Sequence, residues 1–451
     1  MSTIAERSRR KRATFARGVH PAEHKQLSAE APVDVLPTPP EVRIALQQHL
    51  GAPCKAAVKA KAEVAIGDVV GEADAFVSAP VHASIDGTVV RPATTTLPNG
   101  RHVACIPIRA AETQTLAGRA LWDDVYGGGW PQDGLDQYEA EAIAAAARSA
   151  GLVGMGGAAF PTHVKFAQNP EKPIDTLLVN GCECEPYLTA DYRLMLEAPK
   201  AIVTGALLAR RAVGASDVLI GIEDNKPQAV ETLQQAAEGT DVRLEVFKTK
   251  YPQGGEKQLL WAALGREVPG GGLPLDVGVV VVNVATAAAL ARAVLRGKPM
   301  THRIVSVSGA GVQQPKNLLV PIGVSYGELI DYCGGLRPDA ARVVAGGPMM
   351  GFTLGNLDVP VTKGTSGITV LTQAEVQRRA ETTCVRCGRC VDTCPMRLVP
   401  TRLALAARAN NVGLARRYHA AACMECGCCA YVCPAGLPLV QLIRLAKVMV
   451  Q

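Results

Sequence analysis

The chain has 451 residues, enough for several domains with sizeable cores. Hydrophobic residues make up 48 % of it and aromatic residues only 4 %, so its cores rest on Val, Leu, Ile and Ala. The net charge of +6 gathers at one end, where eleven Lys and Arg face three Asp and Glu from residue 376 onward. These arginines lack interleaved aromatic rings, which argues against nucleic acid as a partner.

Residues 1–45 lack periodicity. Pro32, Pro37, Pro39 and Pro40 predict an extended arm lying on another surface. Its basic start, Arg7 to Arg12, has no apolar stretch behind it, so no secretory signal is expected. That start suits lipid headgroups or a partner. Residues 46–110 read as a barrel-sandwich module, with short strands at 57–64, 69–71, 76–82, 85–90 and 103–108. This resembles the shape of biotinyl and lipoyl carrier domains. The segment 77–83, where such domains carry their modified lysine, has none, so a structural module is expected.

Residues 130–298 read as an α/β domain. An alanine-rich helix at 137–150 leads into a loop rich in glycine, running from Gly151 through Gly154, Gly156 and Phe160 to Lys165. Bare backbone there lets N–H groups approach phosphate, and Lys165 adds charge. Gly154, Gly156 and Ala159 imitate the dinucleotide fingerprint, but the loop follows a helix instead of a strand, so the ordinary Rossmann reading fails its context test. Strands are expected at 176–179, 218–222, 244–247 and 277–282, alternating with helices at 201–213 and 227–237. The first strand runs into Asn180-Gly181-Cys182-Glu183-Cys184-Glu185-Pro186, whose carboxylates suit ribose hydroxyls or a solvated turn. Cys182 and Cys184 alone make a poor chelate. Asn283 and Thr286 stand where the last strand meets its helix, a usual ligand position in α/β sheets. That apolar run, 277–295, is interrupted by Asn283, Thr286 and Arg292 and falls short of a membrane span.

Residues 300–372 return to short strands around a helix at 326–333 and suggest a β-grasp module. Residues 373–451 hold a four-cysteine pattern written twice: Cys384, Cys387, Cys390 and Cys394-Pro395, then Cys423, Cys426, Cys429 and Cys433-Pro434. This is the spacing of two [4Fe–4S] clusters, in which the fourth cysteine of each run ligates the other cube. Cys384, Cys387, Cys390 and Cys433 are thus expected on one cluster, and Cys423, Cys426, Cys429 and Cys394 on the second. Zinc favours two separated pairs. Apolar residues at helical spacing in 399–422 and 437–448 predict an α-helical ferredoxin domain. Cys428 is expected as a small buried residue. Clusters and unpaired thiols together indicate a reducing compartment, hence the cytoplasm.

In combination these residues resemble a known family. The loop 154–165, the segment 180–186, Gly255-Glu256 and 283–286 are similar, in the same order, to the NADH-oxidising 51-kDa subunit of respiratory complex I. The match narrows with Gly18-Val19-His20-Pro21, the segment 78–83, the segment 180–186 and the doubled cysteine motif. Together these resemble the C subunits of Rnf-type ion-translocating ferredoxin:NAD+ oxidoreductases. The resemblance covers nearly the whole chain. It implies FMN near Gly154, Gly156, Lys165, Asn180, Glu183, Glu256, Asn283 and Thr286, and NADH near Phe160 and Glu185. Ala159 stands where complex I has glycine, Cys182 where it has aspartate and Lys257 where it has a carboxylate. It further implies other subunits of a membrane complex as partners, ferredoxin or flavodoxin reached through them, and a peripheral place on the cytoplasmic face of the bacterial inner membrane. A soluble NADH-dependent corrinoid reductase and a flavin-free electron relay are the alternatives.

Overall fold

The computed structural model describes residues 13–376 and 380–450. The basic start of the arm, Arg7 to Arg12, lies outside the described residues. The chain is a multidomain α/β and β protein.

Its centre is a four-stranded, wholly parallel sheet. In spatial order the strands are Arg243–Phe247, Asp217–Glu223, Thr176–Asn180 and Val279–Asn283. The inner strands, Asp217–Glu223 and Thr176–Asn180, read as near-continuous apolar runs because helices cover both faces. The expected 277–295 run proves to be the strand Val279–Asn283 passing directly into the helix Val284–Arg296. That helix packs on Pro199–Val213. The approach is close at Gly205, where a Cβ would stand 1.8 Å from the Ala287 carbonyl oxygen, so only glycine fits. Two helices, Ala190–Glu197 and Glu256–Leu264, were not anticipated from periodicity.

In chain order the sheet strands occupy spatial positions 3-2-1-4. The order therefore reverses between Thr176–Asn180 and Val279–Asn283. Asn180 and Asn283 are register partners at the carboxyl ends of these two strands. Ligands of open α/β sheets bind outside the carboxyl ends at such a reversal.

Short antiparallel strands form two small sheets over residues 41–110. The strand Glu41–Ala45, inside the segment expected as arm, pairs with His102–Ala110. A six-stranded mixed sheet spans residues 302–372 and takes Val33–Val35 of the arm as a parallel edge strand beside Lys316–Pro321. The arm is thus extended, as proline predicts, but it finds sheet partners that no local pattern announces. Val19 exchanges two backbone hydrogen bonds with Tyr251, both 2.9 Å, and Gly18 donates to the Thr393 carbonyl at 3.0 Å.

The C-terminal part is helical. Pro400–Arg408 and Val412–Arg417 pack with Leu439–Val450 around Leu403, Ala406, Ala415, Leu439 and Ile443. Among the described residues no helix is long and apolar enough to cross a membrane.

Candidate cofactor sites

The glycine loop is a closed hairpin standing over the strand reversal. Val153 bridges Pro161, and the Gly154 N–H donates to the Phe160 carbonyl at 2.8 Å. Gly156, Gly157 and Ala158 form the exposed tip. The Met155 N–H donates to the buried Thr286 hydroxyl at 2.9 Å, which fixes the loop over the start of the helix Val284–Arg296. A Cβ on Gly156 would meet only Asn283, at 3.4 Å, and one on Gly154 would meet only Phe160 backbone, at 3.7 Å. The protein's own packing therefore does not demand glycine at either position. Their bareness fits a ligand that must approach the backbone. Ala159 has φ +48°, in the left-handed region where alanine is strained and glycine is not.

The remaining flavin-side residues converge on the same edge. Lys165, on Thr162–Phe166, donates to the Val281 carbonyl at 2.8 Å and pairs with Glu256 at 3.1 Å. Both side chains are partly exposed, so this pair adds little stability by itself. Asn180 donates to the Gly254 carbonyl at 2.8 Å, which brings the 254–256 turn beside the sheet. Asn283 caps its own helix by accepting from Ala285 and donates to Asp191 at 2.6 Å. Burial first, then the neighbouring Glu183, pushes the Asp191 carboxyl up to about 7.

Two expected residues face elsewhere. Glu183 is buried, and its two carboxylate oxygens accept from the Asp191 and Tyr192 N–H groups at 2.9 and 3.2 Å. It caps the helix Ala190–Glu197, so it bears on Asn283 through Asp191. The Glu185 carboxylate sits deep beneath the 347–350 turn, accepting from the Met349 and Met350 N–H groups at 3.1 and 2.9 Å. Burial lifts it to about 7 against those two donors. Its charge also acts on Tyr251 and Cys426, so Glu185 lies close to the second cysteine run. Phe160 is half-buried at the foot of the loop.

Sequence reading missed the supports behind these groups. Lys363 is buried, with its ammonium donating to the Pro80 and Gly151 carbonyls, both at 2.6 Å. It joins the barrel, the glycine loop and the six-stranded sheet at one point. Burial lowers it to about 7. Lys25 of the arm donates to the Glu185 and Leu188 carbonyls. Asp191 carried a signal, an acid in the first turn of a helix. Lys363 carried none.

Seven of the eight motif cysteines fall into two neighbourhoods. Cys390 is influenced by Cys387 and Cys433. Cys429 is influenced by Cys426, Cys423 and Cys394. The trailing cysteine of each run thus lies with the other run. Cys394, Cys423, Cys426 and Cys429 line one small, apolar cavity together with Cys428, Pro395, Leu398, Val440 and Ile443. Thiols gathered around an apolar cavity are the donor set a cubane takes. Among the described residues no group of three His, Cys, Asp or Glu is gathered as around a single metal ion. Backbone N–H groups reach two of the sulfurs, Leu398 to Cys394 and Glu425 to Cys423, each at 3.4 Å.

Known proteins share these features. The Nuo51 FMN-binding domain family matches residues 147–292, and the RnfC barrel sandwich hybrid domain matches 13–113. The SLBB domain matches 304–353 and the 4Fe-4S dicluster domain 383–437. The chain is 43 % identical over 393 residues to the C subunit of the proton-translocating ferredoxin:NAD(+) oxidoreductase complex of Clostridium ljungdahlii, covering 87 % of this chain and 84 % of that one. It is 42 % identical to the C subunit of the Na(+)-translocating ferredoxin:NAD(+) oxidoreductase complex of Acetobacterium woodii, covering 87 % of each chain. The C subunit of the ion-translocating oxidoreductase complex of Rhodobacter capsulatus is 42 % identical over 432 residues, 95 % of this chain and 82 % of that one. Among solved structures, a chain of an NAD+-reducing [NiFe]-hydrogenase in the H2-reduced state shares the fold with a TM-score of 0.51 at 21 % identity. That match covers 73 % of this chain and 66 % of the other. Nothing in these relatives supports a corrinoid reductase. With this identity over most of both chains, the chain belongs to the family of C subunits of ion-translocating ferredoxin:NAD+ oxidoreductase complexes.

Proposed function

We propose that this chain is the peripheral, NADH-oxidising subunit of such a complex, passing electrons between NADH and ferredoxin through membrane subunits. The observation that carries the reading is the unforced bareness of Gly154 and Gly156 above the Asn180/Asn283 strand reversal, within one chain that also holds the cysteine-lined cavity. When bound, a flavin accepts the two electrons of a hydride together and releases them singly, as one-electron clusters require. The chain's residues supply placement. The glycine loop offers backbone to the flavin, with Lys165, Glu256, Asn180, Asn283 and Thr286 around it. Phe160 presents a ring to the nucleotide, and Glu183 and Glu185 hold the backbone between sheet and cysteines. Cys384, Cys387, Cys390 and Cys433 hold one [4Fe–4S] cluster, and Cys394, Cys423, Cys426 and Cys429 the other. The assembly works on the cytoplasmic face of the inner membrane.

The test is anaerobic purification of the full chain, with cofactors measured after acid release. One FMN, eight iron atoms and bleaching of the flavin by NADH are the expected result, from two [4Fe–4S] clusters. Iron without flavin leaves only an electron relay and rejects this reading.

A further inference from the structure

The doubled motif provides an internal comparison. Equivalent residues stand 39 positions apart. Arg386 and Glu425, Gly388 and Gly427, and Arg397 and Gly436 all adopt the left-handed backbone. Each half carries a short helix behind its third cysteine, Arg389–Asp392 and Cys428–Tyr431.

The surroundings of the two halves differ. In the second half the Met424 methyl lies so close to Gly255 that a Cβ there would stand 2.8 Å from it. Gly427 meets the Met349 carbonyl, Cys428 is fully buried with Val19 and Tyr251, and Glu425 is paired with Arg444 and Lys447. Gly255 adjoins Gly254, whose carbonyl accepts from Asn180 at the sheet edge. This half is therefore capped by the flavin-side domain. At the equivalent positions of the first half, Val385 is 65 % exposed. Arg386 and Arg389 are exposed, as are the thiols Cys384 and Cys387. Among the described residues neither guanidinium makes an ion pair.

Resting on the proposed function, we infer that the cluster on Cys394, Cys423, Cys426 and Cys429 is the inner one, next to the flavin, and that Val385, Arg386, Cys387 and Arg389 form the exit face, which docks an acidic-rimmed one-electron carrier domain of another subunit. The flavin-side domain covers the second half; in the first, the arm reaches only Val391 and Thr393, and the stretch 384–387 stays exposed. Electron transfer needs close approach, and the exposed thiols give it. An apolar centre flanked by arginines is the composition of a protein interface. A lipid-binding surface calls instead for a longer basic run. Here Glu381 is paired with Arg408, and Asp392 stands among the arginines. Each NADH oxidised to NAD+ yields two electrons. They leave this face one at a time, so the one-electron centre is reduced, passes its electron onward and is reduced a second time, and the proton goes to solvent. Running backwards, the same face is the entrance.

The test uses the complex purified anaerobically through a tag on this chain. R386E/R389E is compared with R416E/R417E, a charge-matched change on the exposed last turn of Val412–Arg417. The first pair should lower retention of the other subunits and NADH-linked turnover roughly tenfold, as loss of charge complementarity does. The control pair should lower neither. Iron, flavin and bleaching of flavin by NADH should match the parent in both. Equal loss in the two pairs, or an effect confined to binding of phosphatidylglycerol vesicles, makes the face a membrane contact and overturns the proposal, as does unchanged retention in both. The order of clusters is read by freeze-quench spectroscopy. With C387S, NADH still reduces the inner cluster; with C426S, the outer one stays oxidised; the opposite pattern reverses the assignment. Failure of NADH to bleach flavin in the parent protein would instead reject the functional reading beneath this inference.

Discussion

Around the cysteines every donor comes from two loops of the 384–433 stretch, whereas the glycine loop is held in place from distant parts of the chain. Thr286 takes its backbone, Lys363 holds its first residue, and Asn283 underlies its tip. The first site is built from direct ligands, the second from positioning contacts. A ligand site should fail abruptly when one donor is lost. A positioned site should weaken in steps, and each should fail without the other.

The largest effect is expected from Cys426→Ala. It removes one of four donors to the cavity and should cut iron by about half while leaving flavin content intact. Iron analysis and flavin release on one sample check both halves of that statement. Next comes Gly156→Val, whose side chain would stand against Asn283. Flavin retention should fall roughly tenfold or more, about 1.4 kcal/mol per decade, with iron unchanged. Parallel loss of iron would mean that the two sites are not separable.

Lys363→Met comes third and sharpens the comparison by pH. Lys363 has its affinity for a proton lowered by burial, to a pKa of about 7 against 10.5 unfolded. Below pH 7 both states are charged, and folding bears the cost of burying the ammonium. Between pH 7 and 10.5 the unfolded chain binds more protons, so stability rises with pH there. The slope from this group is at most about 1.4 kcal/mol per pH unit. In Lys363→Met that slope should vanish, and flavin should dissociate faster because Gly151 loses its donor. Anaerobic urea titrations at pH 7 and 9 measure the first, and flavin fluorescence on dilution the second. The smallest effect is expected from Ala159→Gly. Relief of the left-handed alanine should add about 0.5–1 kcal/mol to stability in the same titration, without touching the clusters.

The same contrast explains what could be read in advance. The thiolate spacing sits within a few residues and announces an iron–sulfur domain outright, as the 4Fe-4S dicluster match over 383–437 shows. The parallel strands were legible from their valine runs, and Asn283 from the strand-to-helix junction. Spacing alone could not show what the Glu185 carboxylate accepts from, because the Met349 and Met350 N–H groups come from more than 160 residues away. Nor could the proline-rich arm reveal that Val33–Val35 joins a sheet whose next strand begins at Lys316. Such pairings depend on two segments meeting, and neither carries the information by itself.

That arm has a consequence for biosynthesis. Gly18 and Val19 leave the ribosome long before their partners, Tyr251 and Thr393. The clasp between them can close only after Thr393 has been translated. Domains fold as units from the N-terminus during synthesis, and contacts this far apart in sequence form late. The arm is therefore a late-fastening latch. Its closure on Thr393 reports that the flavin-side domain and the first cysteine run have both been made and matched.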